Sequence, residues 1–195
     1  MSADPLTSIG DADFIFKNTP VRIMVNRNCP EIELAGLKVG PFQEGKEYEV
    51  RFWIAQELKR AGIARFREEE MLDLVKLNKI HWKERVQASQ QVASLPEDFY
   101  PRLRRYLDDL KSGAIKKPEK MRDYEKARRL SRDIINLRLK KIVSLASSPA
   151  QTNQILGNLT KEERAVYERL YWIISEWRTK ILSKRYAIGE NTGGR

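Results

Sequence analysis

The spacing of apolar residues changes near residue 66, and this change constrains the fold more than any other feature of the chain. Before it, short apolar or alternating runs are separated by Asn, Pro and Gly, which is typical of strands joined by tight turns. After it, apolar residues recur about every 3.6 positions over long stretches, which is typical of helices. The sequence therefore predicts an α+β protein, with a small β-rich domain over residues 1–66, a larger all-α helical bundle over 67–186 and a flexible tail over 187–195.

The predicted β-rich domain consists of short strands and one helix. The helix is expected over Arg51–Ala61, where the following Gly62 can take the left-handed conformation that ends many helices. Strands this short imply a small sheet. They are predicted at Phe14–Phe16, Pro20–Val25, Glu31–Ala35, Glu47–Val50 and Ile63–Phe66.

Four helices are predicted in the second half, each with an apolar stripe. They cover Glu68–Gln91, Phe99–Lys111, Pro118–Ser147 and a stretch that begins at Thr160. Thr160 and Glu163 fit the capping-box pattern, in which each side chain accepts a backbone N–H of the other residue. The apolar arcs of the third and fourth helices are wider than a small monomeric bundle needs, which indicates that another chain covers part of them.

Positive charge is concentrated in the helical half. Residues 1–66 hold nine basic and nine acidic residues, whereas residues 67–195 hold 28 and 18 and so carry the whole net charge of +10. Between Arg102 and Lys141 there are 15 basic and six acidic residues. Such a surface fits nonspecific attraction to phosphate, a solvated helix face or an acidic protein partner. The positions considered for nucleic-acid contact are Arg104, Arg105, Lys116, Lys117, Arg128 and Arg129.

No part of the sequence indicates catalysis, a cofactor or a metal site. The single Cys29 excludes an internal disulfide, and with the single His81 it cannot fill a tetrahedral zinc site. Asp108 and Asp109 are adjacent on a helix and so point about 100° apart, which is a poor arrangement for a carboxylate pair. No apolar run reaches the roughly 18 residues of a membrane span and no signal-peptide pattern is present, so we expect a cytoplasmic protein.

Residues Gly40–Lys46 fit the letters of a phosphate-binding loop but not its chemistry. Such a loop aims backbone N–H groups at phosphate from a turn that opens a helix. Pro41 has no N–H, Glu44 adds negative charge, and Glu47 stands where Ser or Thr would hold magnesium. Because the residues after the loop alternate like a strand, we interpret the loop as a turn and not as a nucleotide-hydrolysing site.

The stretch from Gly36 to Phe66 resembles the GINS family of replication-factor subunits. In that family a Gly-Pro-Phe turn, a short strand and a Trp-containing helix close the small β domain. The residues that carry the resemblance are Gly40, Pro41, Phe42, Gly45, Val50, Trp53, Ala55 and Leu58. With its small domain first, the chain looks like the archaeal subunit related to the second and third eukaryotic GINS paralogues, whose sister subunit has the reverse domain order.

The resemblance implies a non-enzymatic scaffold without a cofactor. Two copies of this subunit and two of the sister subunit would form a heterotetramer through their helical domains. The tetramer would bridge the MCM helicase, a RecJ-like protein and primase at the replication fork, which implies a nucleoid-associated location. A basic helical adaptor that binds template DNA directly is the alternative. The apolar positions expected at the subunit interface are Tyr124, Leu130, Ile134, Leu137, Val166, Leu170, Tyr171, Ile174, Trp177 and Ile181.

Overall fold

The chain folds into a small strand region followed by a helical bundle, as predicted. A computed structural model describes residues 5–67, 71–87, 91–116, 118–148 and 153–183. The strands are β1 (Pro20–Val25), β2 (Ile32–Leu34), β3 (Leu37–Val39), β4 (Glu47–Arg51) and β5 (Ala64–Phe66). The helices are α1 (Pro5–Asn18), α2 (Phe52–Arg60), α3 (Leu74–Val86), α4 (Phe99–Lys116), α5 (Met121–Ser147), α6 (Asn153–Leu156) and α7 (Lys161–Leu182), with a 3-10 turn at Pro118–Lys120.

Strand β1 is the centre of a three-stranded antiparallel sheet with the order β4-β1-β5. Ile23, in the middle of β1, lies opposite Tyr48 on β4 and Phe66 on β5. Every second residue of β1, namely Val21, Ile23 and Val25, is buried. Helix α2 packs on the sheet and its buried residues join the same core cluster. Buried and more exposed residues therefore alternate along β1 because a helix covers only one face of the strand.

Helix α2 ends at Arg60, and Gly62 is the left-handed residue that terminates it, as predicted. The N–H of Gly62 donates to the carbonyl of Lys59 at 3.0 Å, and the N–H of Ile63 donates to the carbonyl of Leu58 at 2.9 Å. This pair of bonds requires a left-handed residue, and Gly62 has a φ of +69°. Ile63 and Leu58 are both buried, so the turn also directs the chain back into the core toward β5.

The strand predicted at Phe14–Phe16 is wrong, because these residues lie in helix α1. The side chain of Phe16 is buried, and its ring centroid lies 4.5 Å from that of Phe52. Phe14 and Ile15 remain exposed. Three consecutive apolar residues carry neither a helical nor a strand period, so only their packing on α2 distinguishes the two structures.

The predicted helix over Glu68–Gln91 is shorter than expected. It begins at Leu74, where the side chain of Asp73 accepts the N–H of Lys76 at 2.7 Å and caps the first turn. Residues 71–73 and Gln91 are not helical, whereas residues 68–70 and 88–90 lie outside the described residues. The predicted start at Glu68 therefore lies six residues before the observed start at Leu74.

Helix α4 continues past the predicted end at Lys111 and reaches Lys116. It passes through Gly113, and the next residue, Ala114, is buried. Packing of this turn therefore overrides the preference of glycine for a helix end. The predicted tail over 187–195 lies outside the described residues.

Helix α5 is the centre of the bundle and packs against α3, α4 and α7. Its packing creates two apolar clusters of buried residues. The first, with α3 and α4, contains Leu77, Phe99, Leu103, Ala127, Leu130 and Ile134. The second, with α7 and the loops beside it, contains Val92, Ile142, Leu145, Ala146, Leu159 and Tyr167.

Helix α1 contacts both the strand region and the bundle. Phe16 belongs to the core of the strand region, while Asp13 pairs with Arg104 of α4 at 2.6 Å. Nearby, the guanidinium of Arg105 lies 4.8 Å from the ring centroid of Phe52 on α2. The strand region is therefore held against α4 by side chains from both α1 and α2.

Candidate subunit interface

A network of buried charges holds α5 in place inside the bundle. Arg138 is 0% exposed, and its guanidinium donates to both carboxylate oxygens of Glu163 on α7. It also donates to Glu84 of α3 at 2.5 Å and to the carbonyl of Ala93 at 2.8 Å. The ammonium of Lys141 donates to the other oxygen of Glu84 at 2.8 Å. Each buried charge thus has an opposite charge within hydrogen-bond distance, which offsets its desolvation.

Glu163 connects this network to the start of α7. Its Oε2 accepts the backbone N–H of Thr160 at 3.0 Å, and the Thr160 hydroxyl accepts the N–H of Glu163, so the predicted capping box is confirmed. Tyr100 of α4 donates its hydroxyl to Glu163 at 2.6 Å. Burial, together with the charge and hydrogen bond of Glu163, raises the pKa of Tyr100 well above its ordinary value. Tyr100 therefore stays a neutral donor throughout the physiological pH range.

The pKa of Arg138 reflects the same balance of forces. Burial alone would lower this pKa, but the hydrogen bonds and negative charge of Glu163 and the charge of Glu84 outweigh burial and raise it. The guanidinium therefore remains charged in the core, and the network is a set of true ion pairs.

Helices α5 and α7 run side by side in the same direction. Arg138 bonds to Glu163 near the start of α7, and Arg178 near its end donates to the carbonyl of Ser147, the last residue of α5. The final turn of α7 therefore continues beyond the end of α5. Helix α5 therefore packs against the earlier turns of α7 and does not cover this last turn.

Both helices expose large apolar side chains. On α5, Ile135, Leu139 and Val143 follow one another at four-residue intervals and are 42%, 44% and 41% exposed. Residues four apart lie on one face of a helix, so these three form a stripe on the outside of the bundle. On α7 the exposed apolar residues are Tyr171, Trp172, Ile173, Trp177, Ile181 and Leu182.

A groove between α1, α5 and α7 includes two of these exposed residues in its lining. It has a volume of about 290 Å³ and is lined by Ile9, Ile135, Leu139 and Val166, among others. On α7, the residues seven and eleven positions after Val166 are Ile173 and Trp177, so they lie on the same side of the helix. We call the resulting surface the α5–α7 apolar face. It consists of Ile135, Leu139, Val143, Val166, Ile173 and Trp177.

The residues predicted for the interface fall into three groups. Tyr171, Trp177 and Ile181 are exposed. Leu130 and Ile134 are buried in the cluster between α3, α4 and α5, so their prediction as interface residues is corrected: they have no surface to offer a partner. The half-buried group is Tyr124, Leu137, Val166, Leu170 and Ile174.

The sequence interpretation missed the exposed stripe of α5, because it assigned inward-facing residues, among them Leu130 and Ile134, to the interface. Arg138 follows Ile134 by four residues and therefore shares its inward face. Lys141 is buried as well. The helical period thus contained the signal that the inward face of α5 includes two cations and that Ile135 and Leu139 point elsewhere.

The predicted nucleic-acid contacts are only partly available. Arg104 lies between Asp13, at 2.6 Å, and Glu162, at 4.0 Å. Arg105 stacks on an aromatic ring and pairs with Asp109 at 3.7 Å. Arg128 and Arg129 are exposed on α5. The structure does not describe Lys117 or the side chain of Lys116.

The loop Gly40–Lys46 is a turn that leads into a strand, as interpreted from the sequence. Phe42 is buried and exchanges backbone hydrogen bonds with Cys29. Gly40 has a φ of +103°, and a side chain there would come within 3.3 Å of Phe42 and of the carbonyl of Pro30. Strand β4, not a helix, follows the turn. The geometry needed to cradle phosphate at a helix start is therefore lacking.

Within the part of the chain that the structure describes, no group of three or more His, Cys, Asp or Glu side chains could hold a metal ion. None of the helices found there is both long and apolar enough to cross a membrane.

Comparison with known proteins identifies the class of complex to which this surface belongs. The family model of the GINS complex protein helical bundle domain matches residues 71–182, and the PSF2 N-terminal domain matches residues 8–67. The "DNA replication complex GINS protein PSF2" of Homo sapiens is 28% identical over 156 residues, which cover 78% of this chain and 80% of the human protein. The chain belongs to the GINS family and is a subunit of the GINS DNA replication complex related to PSF2.

Proposed function

We propose that this subunit is a non-enzymatic scaffold that joins other GINS subunits through the α5–α7 apolar face. The observation that carries this proposal is the exposure of large apolar side chains on two adjacent helices of the bundle. A monomer rarely leaves such a surface in water, because each buried large apolar side chain contributes about 1.5–3 kcal/mol. Membership of a multi-subunit complex supplies the partner that this surface needs.

Trp177 is the expected centre of the interface. It is 62% exposed and lies near the end of α7, where α5 no longer covers the helix. Tryptophan is enriched among the residues that dominate binding energy, since it buries a large area with few rotatable bonds. A partner helix that packs there would extend the bundle across the subunit boundary.

The wider role of the subunit is proposed from its membership of the GINS family. We propose that the complex is a heterotetramer of two copies of this subunit and two of a sister subunit with the reverse domain order. It connects the MCM helicase, a RecJ-like protein and primase during replication.

Direct contact with DNA is the second candidate function, and the exposure of Arg128 and Arg129 on α5 favours it. Binding would then weaken steeply with salt, and replacing both arginines by alanine would reduce the salt slope by about two. Undetectable DNA binding by the assembled complex at low salt would rule this candidate out.

The scaffold proposal is tested by co-expression with the sister subunit, followed by light scattering to measure the mass of the complex. Trp177→Asp places a charge in the proposed interface, where its burial without a partner costs several kcal/mol, and should abolish assembly. Trp172→Asp is the matched control. Trp172 is 55% exposed but lies on another side of α7, so this variant should assemble normally.

Two results would overturn the proposal. One is a stable, monodisperse monomer of the unmodified chain in the presence of the sister subunit. The other is an unchanged mass for Trp177→Asp while Trp172→Asp dissociates, since this would move the interface to the other side of α7. Circular dichroism of both variants shows whether the helices stay folded.

A further inference from the structure

A second groove lies on α3, on a different part of the bundle from the α5–α7 apolar face. It has a volume of about 380 Å³ and runs between α3 and the segment that leads into α4. Apolar residues form much of its lining, and three lysines of α3 stand among them. We call it the lysine-edged groove. Its lining includes the apolar residues Leu72, Ile80 and Leu95, the lysines Lys76, Lys79 and Lys83, and the polar residues Ser94 and Arg102.

The lysines form a row along one side of α3. Lys76, Lys79 and Lys83 are spaced three and four residues apart, so the row is about 10 Å long. Lys76 donates to the carbonyl of Met71 at 2.5 Å, which fixes its position at the groove. Lys79 and Lys83 are exposed, and among the described residues neither has an acidic partner.

The buried charge network makes the outer surface of α3 wholly positive. Glu84 is the single acidic residue of this helix, and it is 1% exposed because it faces Arg138 and Lys141 in the core. The exposed Arg85 adds a further positive charge. An approaching partner therefore meets the exposed Lys79, Lys83 and Arg85, and no other residue of α3 offers it an exposed carboxylate.

An apolar ridge runs beside the lysine row. Val75, Trp82 and Val86 are 76%, 64% and 64% exposed, and their spacing of seven and four residues puts them on one face of α3. Lys79 lies between this ridge and the groove. The surface thus offers two apolar strips separated by positive charge, which is the complement of a chain with apolar anchors and intervening carboxylates.

We propose that the lysine-edged groove binds an acidic amphipathic segment of a protein outside the GINS complex. An aliphatic or aromatic side chain of that segment enters the groove, and two carboxylates four residues apart pair with Lys79 and Lys83. A second apolar side chain rests on the Trp82 ridge. The site is separate from the face proposed for GINS assembly, so it does not depend on that assignment.

The lining of the groove favours a peptide over a nucleic acid. A phosphate backbone binds grooves lined by cationic and polar donors and uses several aromatic side chains as stacking platforms. Here the floor is aliphatic, with Leu72, Ile80 and Leu95, and Trp82 is the exposed aromatic residue of α3. Desolvating phosphates over such a floor is unfavourable, whereas burying an apolar side chain there is favourable.

The test uses the assembled GINS complex and a displayed library of random 12-residue peptides. Enriched peptides are synthesised with a fluorescent label and their affinity is measured by anisotropy. We expect enrichment of Asp and Glu around one or two large apolar residues. A polyglutamate peptide of equal length should bind at least about tenfold more weakly, because it lacks the anchor for the groove.

Surface variants connect the binding to this groove. Lys79→Glu with Lys83→Glu should weaken the selected peptides by about tenfold or more, since two attractive pairs become repulsive. Lys126→Glu with Lys140→Glu is the matched control, because it reverses the same charge at two exposed positions of α5 and should leave affinity unchanged. Trp82→Ala tests the ridge and should weaken binding several-fold. Normal complex mass for each variant shows that assembly is intact.

Three outcomes would overturn the proposal. The first is a library selection without acidic enrichment, and the second is equal binding by polyglutamate. The third is a selected peptide whose affinity is as sensitive to the α5 control variant as to the α3 variant. If labelled oligo-dT binds the complex and Lys79→Glu with Lys83→Glu abolishes this while selected peptides are unaffected, the groove belongs to a nucleic-acid site instead.

Discussion

Replacing Arg138 by methionine leaves Glu163 buried without the guanidinium that now binds both of its oxygens. Methionine retains most of the aliphatic volume, so the change removes charge and hydrogen bonds more than packing. Glu84 keeps its bond to Lys141 at 2.8 Å, and the main loss therefore falls on Glu163. Removing one partner of a buried ion pair costs about 3–5 kcal/mol.

Hydrogen exchange of the assembled complex, followed by mass spectrometry, measures the loss of stability that Arg138→Met causes in this subunit. Peptides from α5 and α7 report the free energy of local opening, and each 1.4 kcal/mol corresponds to a tenfold change in exchange rate. Amides of these helices should therefore exchange faster by about two to three and a half orders of magnitude in Arg138→Met. Arg132→Met, at an exposed position of the same helix, should change the rate by less than about threefold.

The double variant Arg138→Met/Glu163→Gln separates charge burial from lost packing. Tyr100 and the backbone N–H of Thr160 donate to different oxygens of Glu163, so the single glutamine oxygen can accept from one of the two, and the side chain carries no charge. Its exchange should be at least about tenfold slower than that of Arg138→Met. If Arg138→Met accelerates exchange by less than about tenfold, or if the double variant is no slower than the single one, the energetic role given to this network is wrong.

Three smaller changes test local features of the fold. The pKa of Tyr100 is raised, so above pH 10 the unfolded chain loses the hydroxyl proton of Tyr100 while the folded chain keeps it. This residue should therefore lower the free energy of unfolding by about 1.4 kcal/mol for each pH unit above about 10. Tyr100→Phe should remove this part of the pH dependence, as measured by urea unfolding. Thr160→Ala removes one half of the capping box and should destabilise α7 by about 1 kcal/mol in the same assay, while Thr160→Ser should not. Gly40→Ala should destabilise the strand region by about 1–3 kcal/mol, measured by exchange of its amides, because φ is +103° and Phe42 lies within 3.3 Å of the added carbon. Gly10→Ala in helix α1, where nothing lies within 4 Å, should be neutral or slightly stabilising.

Features of the fold that depend on neighbours in sequence could be predicted. Strand β1 coincides with the predicted Pro20–Val25, because buried apolar residues recur at every second position along a strand that has one buried face. The Gly62 ending of α2 and the Thr160 start of α7 each result from hydrogen bonds between residues three to five apart. Such interactions are fully contained in a short window of sequence.

Features that depend on distant residues could not be predicted. Arg138 is stable in the core because Glu84 and Glu163, 54 and 25 residues away, converge on it. Without that knowledge nothing in the sequence shows that Arg138 is buried. The predicted apolar stripe of α5 is its inward face, so its residues Leu130 and Ile134 were assigned to the interface in error, and the exposed Ile135 and Leu139 were omitted. The exposed end of α7 was predictable, because its apolar residues outnumber what one neighbouring helix can cover.

Helix α1 contacts elements that are far apart in the chain, with Phe16 in the core beside α2 and Asp13 joined to Arg104. A truncated chain that starts at residue 20 would lose both attachments at once. The strand region of such a chain would be held against α4 by the contacts of α2, such as that of Phe52 with Arg105, and we expect its orientation to be less restricted. Helix α1 is therefore the part of the chain that restricts rotation of the strand region relative to the bundle.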